Sequence, residues 1–185
     1  MRPQAILIVA GLFLFGILLI ALGPGSYRKV GDIQTLEAQS ESLRSEYPEF
    51  EHLRPATLAA LLDRNVDVLI IDVRRTEEFQ VSRIPGAVHL DTSDKISRYL
   101  TTAAPLPEVI VFYSASGVRA AKLLSEMPEK WPLSAANLAG GIFAWANEGR
   151  LLINDSEEET RQVHPESRFH GRFLAPENRF PIEEE

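Results

Sequence analysis

Between about Phe50 and Gly149 the chain alternates short apolar runs with segments of helical period, and that alternation leaves little choice of fold. VDVLIIDV (66–73), AVHL (87–90), VIVFY (109–113) and the weaker SAANLAG (134–140) read as strands. The first and third are apolar almost throughout, as strands covered on both faces are. PATLAALLDR (55–64), DKISRYL (94–100), GVRAAKLLSEM (117–127) and IFAWANEG (142–149) read as helices. Pro55 suits a first helical turn and Gly149 a helix stop. Ala120, Ala121, Leu123 and Leu124 share an inward face, and Ile84-Pro85-Gly86 marks a turn. Strands alternating with helices over ~100 residues predict an α/β domain on a parallel sheet.

The N-terminus obeys a different rule. Ala5 to Leu22 is an apolar run of 18 residues, AILIVAGLFLFGILLIAL, with no polar face. At ~1.5 Å of helix rise per residue, ~20 residues cross a ~30 Å hydrocarbon core. The run exceeds the ~7–15 apolar residues of a cleaved signal peptide, and Pro24 is a poor neighbour for a cleavage site at Ala21-Leu22-Gly23. A single-pass membrane anchor over residues 1–24 is therefore expected, with residues 5–22 in contact with lipid. Arg2 and the terminal amine on one flank nearly cancel Arg28 and Lys29 on the other, so charge assigns no side to the soluble part.

Residues 25–49 open on Gly-Ser, are polar, and carry a weak helical pattern at Ile33, Leu36 and Leu43 up to Pro48. They read as a stalk. Residues 150–185 form a C-terminal arm with an acidic end. Within it, HPESRFHGRFL (164–174) mixes basic and aromatic residues. It reads as an arm packed on the domain, or as an interfacial segment with Arg168 and Arg172 near headgroups and Phe169 and Phe173 inserted.

The stretch that carries chemistry is VIVFYSASGVRAAKLL (109–124), a strand, a small-residue loop and a helix. Ligands of open parallel sheets sit at the carboxyl ends of strands. Ser114, Ala115, Ser116, Gly117, Val118 and Arg119 lie at such an end. Small residues let successive amides turn inward as an anion-binding nest, and the following helix adds its positive N-terminus. Arg119 can close this cradle or brace it through a salt bridge. Three readings stand for Ser114: a helix cap, part of an anion site, or a nucleophile. The last needs a base. His89 is a candidate only if the fold brings it close, and no GxSxG elbow is present.

Composition narrows the chemistry. The chain of 185 residues has no cysteine, which rules out thiol catalysis, disulfides and thiolate metal sites. Its four histidines (His52, His89, His164 and His170) show no metal-ligand spacing, so neither metal nor cofactor is expected. A net charge of −7 argues against non-specific nucleic-acid binding.

Three stretches taken together resemble the rhodanese (sulfurtransferase) family: IIDVRRTEEFQVSRIPGAVHL, VIVFYSASGVRAAKLL and NLAGGIFAWANEG, in that order, over about residues 50–149. The resemblance implies a five-stranded parallel sheet flanked by helices. It implies that the loop 114–119 matches the family's six-residue loop of Cys, two variable residues, Gly, one variable residue and Arg. Gly117 and Arg119 are in place, and Ser114 stands at the cysteine position. Asp72, Arg74, Glu78 and Phe79 fit the upstream motif, although Ser82-Arg83 replaces its usual Gly-His. Gly140, Gly141 and Trp145 fit the last motif. Without the thiol, persulfide transfer is not expected. The expectation is then a membrane-anchored, catalytically silent module whose loop binds a partner protein or a small oxyanion. The alternative is an enzyme, with residual sulfurtransferase activity or ester hydrolysis through Ser114; the loop also resembles those of cysteine phosphatases, which need their thiol as well.

Overall fold

The computed structural model describes residues 35–103, 105–127 and 135–182. The expected anchor over residues 1–24 lies outside them. No helix among the described residues is long and apolar enough to cross a membrane.

Residues 35–46 are helical (α1). There follow β1 (Glu51–Leu53), α2 (Pro55–Asp63), β2 (Val68–Asp72), α3 (Thr76–Val81), β3 (Val88–His89), α4 (Ser93–Thr102), β4 (Val109–Tyr113), α5 (Val118–Ser125), β5 (Ala135–Leu138) and α6 (Gly141–Asn147). The five strands form one sheet in the order β1-β5-β4-β2-β3 with every pairing parallel. A two-stranded antiparallel ribbon, β6 (Leu152–Ile153) with β7 (Glu159–Thr160), and two short 3₁₀ turns complete the chain.

The uninterrupted apolar runs of β2 and β4 are explained by two cores, one on each face of the sheet. Alternate residues Ile70, Val111 and Tyr113 join Leu58, Ile142, Phe143 and Trp145 on one side. Ile71, Ile110 and Phe112 join Ile96, Leu100, Ala120 and Leu124 on the other. A strand buried on both faces has no polar face to show. Of the four inward positions expected on α5, Ala120, Ala121 and Leu124 are buried and Leu123 only partly so.

The first core extends beyond the alternating region. Leu36 of α1 belongs to it, and so do Val163, Phe173 and Leu174 from the C-terminal arm. The described half of the stretch read as a stalk is thus packed against the domain. Arg44 of α1 donates to the His52 carbonyl at 3.2 Å, and the His52 ring donates to the Tyr47 carbonyl at 3.0 Å. In the arm, the 164–174 stretch is likewise pinned, with Phe173 buried and Arg168 and Phe169 exposed, Phe169 at 62%. Residues that bury leucine and phenylalanine against a sheet gain roughly 1.5–3 kcal/mol per side chain, which offsets ordering the segments that carry them.

Chain order fixes where a ligand crevice lies. From β2 the chain moves outward to β3, then returns past β2 to β4 on its other side. Connections that leave neighbouring strands in opposite directions open a crevice at their carboxyl ends. The register sets Asp72, Tyr113 and His89 in one row at that end.

Candidate functional site

The loop after β4 is built around a serine used as an internal acceptor. Ser114 is 2% exposed, and its Oγ accepts the Gly117 amide at 3.2 Å and the Ala120 amide at 3.4 Å. Those amides open α5 and would otherwise lack partners. The capping geometry foreseen for Ser114 is therefore present, spanning the loop instead of one helical turn. Ala115 and Ser116 are also buried, while Val118 is 40% exposed at the rim. Gly117 turns the chain with φ +91°, and a β-carbon there would press on the Leu138 carbonyl at 3.0 Å. The loop carbonyls have their own partners: Ser114 O accepts from Ile142 and Ala115 O from Phe143, both at 3.0 Å. The start of α6 thus holds the loop from outside.

Arg119 braces the loop, and two carboxylates share it. Its Nη1 donates to Glu78 Oε2 at 3.1 Å and its Nη2 to Glu166 Oε1 at 2.6 Å. Glu78 is fully buried; the same oxygen accepts the Arg75 amide at 2.7 Å at the start of α3. Glu78 therefore caps one helix and anchors the loop before another.

Behind the loop lies a buried ion pair. Arg74 Nε donates to both Asp72 oxygens at 3.0 and 3.1 Å, and Nη2 donates to Asp72 Oδ2 and to the Ser82 carbonyl, each at 2.6 Å. Both side chains are 0% exposed. Burial opposes the Arg74 charge, but the Asp72 carboxylate outweighs it and raises the guanidinium pKa. The guanidinium lies 5.5 Å from the Tyr113 ring centre. Burial first, then the Asp72 charge, pushes the Tyr113 phenol well above its ordinary pKa, so it stays protonated. Its oxygen accepts the Ile84 amide at 3.3 Å.

Asp72, Arg74 and Glu78 are thus drawn to the carboxyl end of the sheet beside the 114–119 loop. His89 is not brought to Ser114. Its ring donates to the Arg74 carbonyl at 2.8 Å and stacks on Phe79 at 4.7 Å between centres. No base is hydrogen-bonded to Ser114 among the described residues, so the geometry of a serine nucleophile is absent there. No group of three or more His, Asp and Glu side chains is placed to ligate a metal among the described residues.

The sequence reading missed Glu166 and His164. Glu166 sits in the left-handed region at φ +61°, unusual for a long side chain. His164 Nδ1 accepts its amide at 3.1 Å, and its Oε2 lies 3.3 Å from His170 Nδ1. Burial lowers the His164 pKa below its ordinary value, against the attraction of Glu78 and Glu77 and with the repulsion of Arg74 and Arg75. A group whose pKa is lower in the folded chain gives up stability as pH falls through its unfolded value, ~6.5. Urea melts at about pH 7.5 and about pH 5.5 should therefore show a loss at the lower pH, and the part due to this ring should vanish in His164→Gln. A loss of the same size in the variant would assign it to other groups.

A model of the rhodanese-like domain matches residues 54–148, more than half of the chain. The chain belongs to the rhodanese-like domain family. YtwF of Bacillus subtilis, a candidate sulfurtransferase, is 30% identical over 100 residues, taking in 54% of this chain and 94% of that one. MoeZ of Mycobacterium tuberculosis, named as a probable adenylyltransferase/sulfurtransferase, is 31% identical over 96 residues. That match takes in 52% of this chain and 24% of MoeZ, so the chain spans about a quarter of that relative's length. The thiosulfate sulfurtransferase of Pseudomonas aeruginosa has the same fold, with a TM-score of 0.54 at 23% identity over 75% of this chain and 26% of that one. The five-stranded parallel sheet flanked by helices is thus a rhodanese-like sheet. The rhodanese-like match ends at residue 148, short of the arm that supplies Glu166.

Proposed function

We propose that this rhodanese-like domain does not transfer sulfur, and that its 114–119 loop serves as a binding site for a small oxyanion or an acidic group of a partner protein. The supporting observation is Ser114, a buried hydroxyl already accepting two amides at the place where the family resemblance puts the sulfur carrier. Transfer requires a thiolate to attack a sulfane sulfur, expel sulfite, and pass the sulfur to an acceptor as the thiolate is restored. A hydroxyl in an amide nest stays protonated, and an alkoxide is a poor sulfur carrier. No cysteine elsewhere in the sequence can take over. In this reading residues 5–22 tether the domain to a membrane.

The test is thiocyanate formation from thiosulfate and cyanide by the full chain in detergent, native beside Ser114→Cys. The native chain should be silent. The variant places a thiol among the amides of Gly117 and Ala120, which lower its pKa, and should exceed the native rate by about tenfold or more. Turnover by the native chain would overturn the reading. Oxyanion binding has its own readout: sulfate should raise the native melting temperature, and Arg119→Ala should diminish that rise.

A further inference from the structure

Arg119 is the loop's cation, yet the structure has its outward nitrogen engaged. Glu166 arrives from a segment 47 residues further on and sets Oε1 2.6 Å from Arg119 Nη2. A backbone turn and two contacts aim it there. The residue is bent to φ +61°, its amide is held by His164 Nδ1 at 3.1 Å, and its second oxygen lies 3.3 Å from His170 Nδ1. Strained backbone persists only where surrounding contacts over-determine it, and it concentrates at clamps and switches. The segment is also bounded. Val163 on one side is fully buried and exchanges amide and carbonyl contacts with Asn178 and Phe180. Phe173 on the other is 3% exposed, and its carbonyl accepts from Asn147 at 2.7 Å. Between these anchors residues 164–172 include exposed Phe169 and buried Pro165 and Gly171, and their contacts include short local ones: Ser167 to Pro165, Gly171 to Ser167, and Arg172 over the Phe169 ring at 3.9 Å.

We propose that Glu166 is the resident anion of the 114–119 loop, and that residues 164–172 form a strap that must lift before an external oxyanion can pair with Arg119. This rests on the binding function proposed for the loop and adds its regulation. One carboxylate on a tethered strap competes at high effective concentration. It therefore lowers the apparent affinity for a free anion by the fraction of time it is in place. Glu78 keeps the other Arg119 nitrogen when the strap lifts, so the loop stays braced while one side of the guanidinium becomes available.

The test uses the full chain in detergent as native, Glu166→Gln and Arg119→Ala. Two measurements are made: sulfate titrations of the melting temperature at constant ionic strength, and hydrogen exchange at the amides of residues 166, 167, 170 and 171. A strap closed about nine-tenths of the time predicts a sulfate midpoint about tenfold lower in Glu166→Gln. It also predicts faster exchange at those four amides in both variants, with the amide of Val163 unchanged. Equal sulfate midpoints in native and Glu166→Gln, with Arg119→Ala unresponsive, overturn the strap and leave the anion site standing. If sulfate acts on none of the three, the anion site falls. Exchange then decides the strap: faster exchange in both variants supports it, and unchanged exchange overturns it.

Discussion

Asp72→Asn is expected to destabilise the chain by about 3–5 kcal/mol, because it leaves the Arg74 guanidinium fully buried without the carboxylate that pairs with it. The Asp72 oxygens receive donations from Arg74 Nε, Nη2 and its backbone amide, all at 3.1 Å or less. An asparagine keeps the shape, offers one acceptor where there were two, and turns an N–H₂ toward a cation. Against a total stability of about 5–15 kcal/mol for an ordinary domain, that loss removes a large share, and it unfolds much of the population where the starting stability lies at the low end. Chemical denaturation of native, Asp72→Asn and the double variant Asp72→Leu/Arg74→Met measures it. The double variant should recover much of the loss, since removing both charges removes the uncompensated one. A loss below about 1 kcal/mol in Asp72→Asn would mean that water reaches the pair.

Gly141→Ala is the second large effect. Gly141 has φ +55°, and a β-carbon on it would lie 2.2 Å from the Ser114 carbonyl oxygen and 2.6 Å from that of Ala115. Left-handed backbone at a residue with a β-carbon costs about 1–2 kcal/mol. Forcing a group into packed surroundings costs about 1–3 kcal/mol more. A total of about 2–5 kcal/mol is expected in urea melts, with the loop driven off the amides of Ile142 and Phe143 that hold its carbonyls. Gly86→Ala is the control. Gly86 also has positive φ, at +77°, but nothing lies within 4 Å of its would-be β-carbon, so only the backbone cost remains. Equal losses at the two positions would show that loop contact contributes nothing. Introduced beside Ser114→Cys, Gly141→Ala should also abolish any sulfur transfer that the thiol restores.

Much of the sheet and its helices could be read from the sequence because their signals are local. Runs such as VIVFY need only their own composition to announce a strand covered on both faces, and Pro55 opens its helix by its own geometry. β1 escaped because Glu51–Leu53 is three residues with a charge and an imidazole, and its strand state exists only by pairing with β5. α3 escaped because TEEFQV is too short for a periodic face; its start depends on Glu78 reaching back to the Arg75 amide. The loop 114–119 and the motif residues Asp72, Arg74 and Glu78 were singled out from sequence. Their pairing was not, since Arg119 meets Glu78 across 41 residues and Glu166 across 47. Nothing in the neighbourhood of Glu166, which is basic and aromatic, marks it as an arginine's partner. An arm packed on the domain was one of the two readings of 164–174, but which residues it buries was hidden, because Val163, Phe173 and Leu174 follow no helix or strand period.

The edge position of β1 also sets a timetable for synthesis. Its pairing in the sheet is with β5, 85 residues onward, and the core beside it takes in Leu174. Contacts of such long range are slow to form because a large loop must close before they reward it. As the chain leaves the ribosome, β2, β3 and β4 can assemble early, while β1 waits with its edge open. A nascent chain of this protein remains a partial sheet, and a client for chaperones, until the residues through Leu174 have emerged.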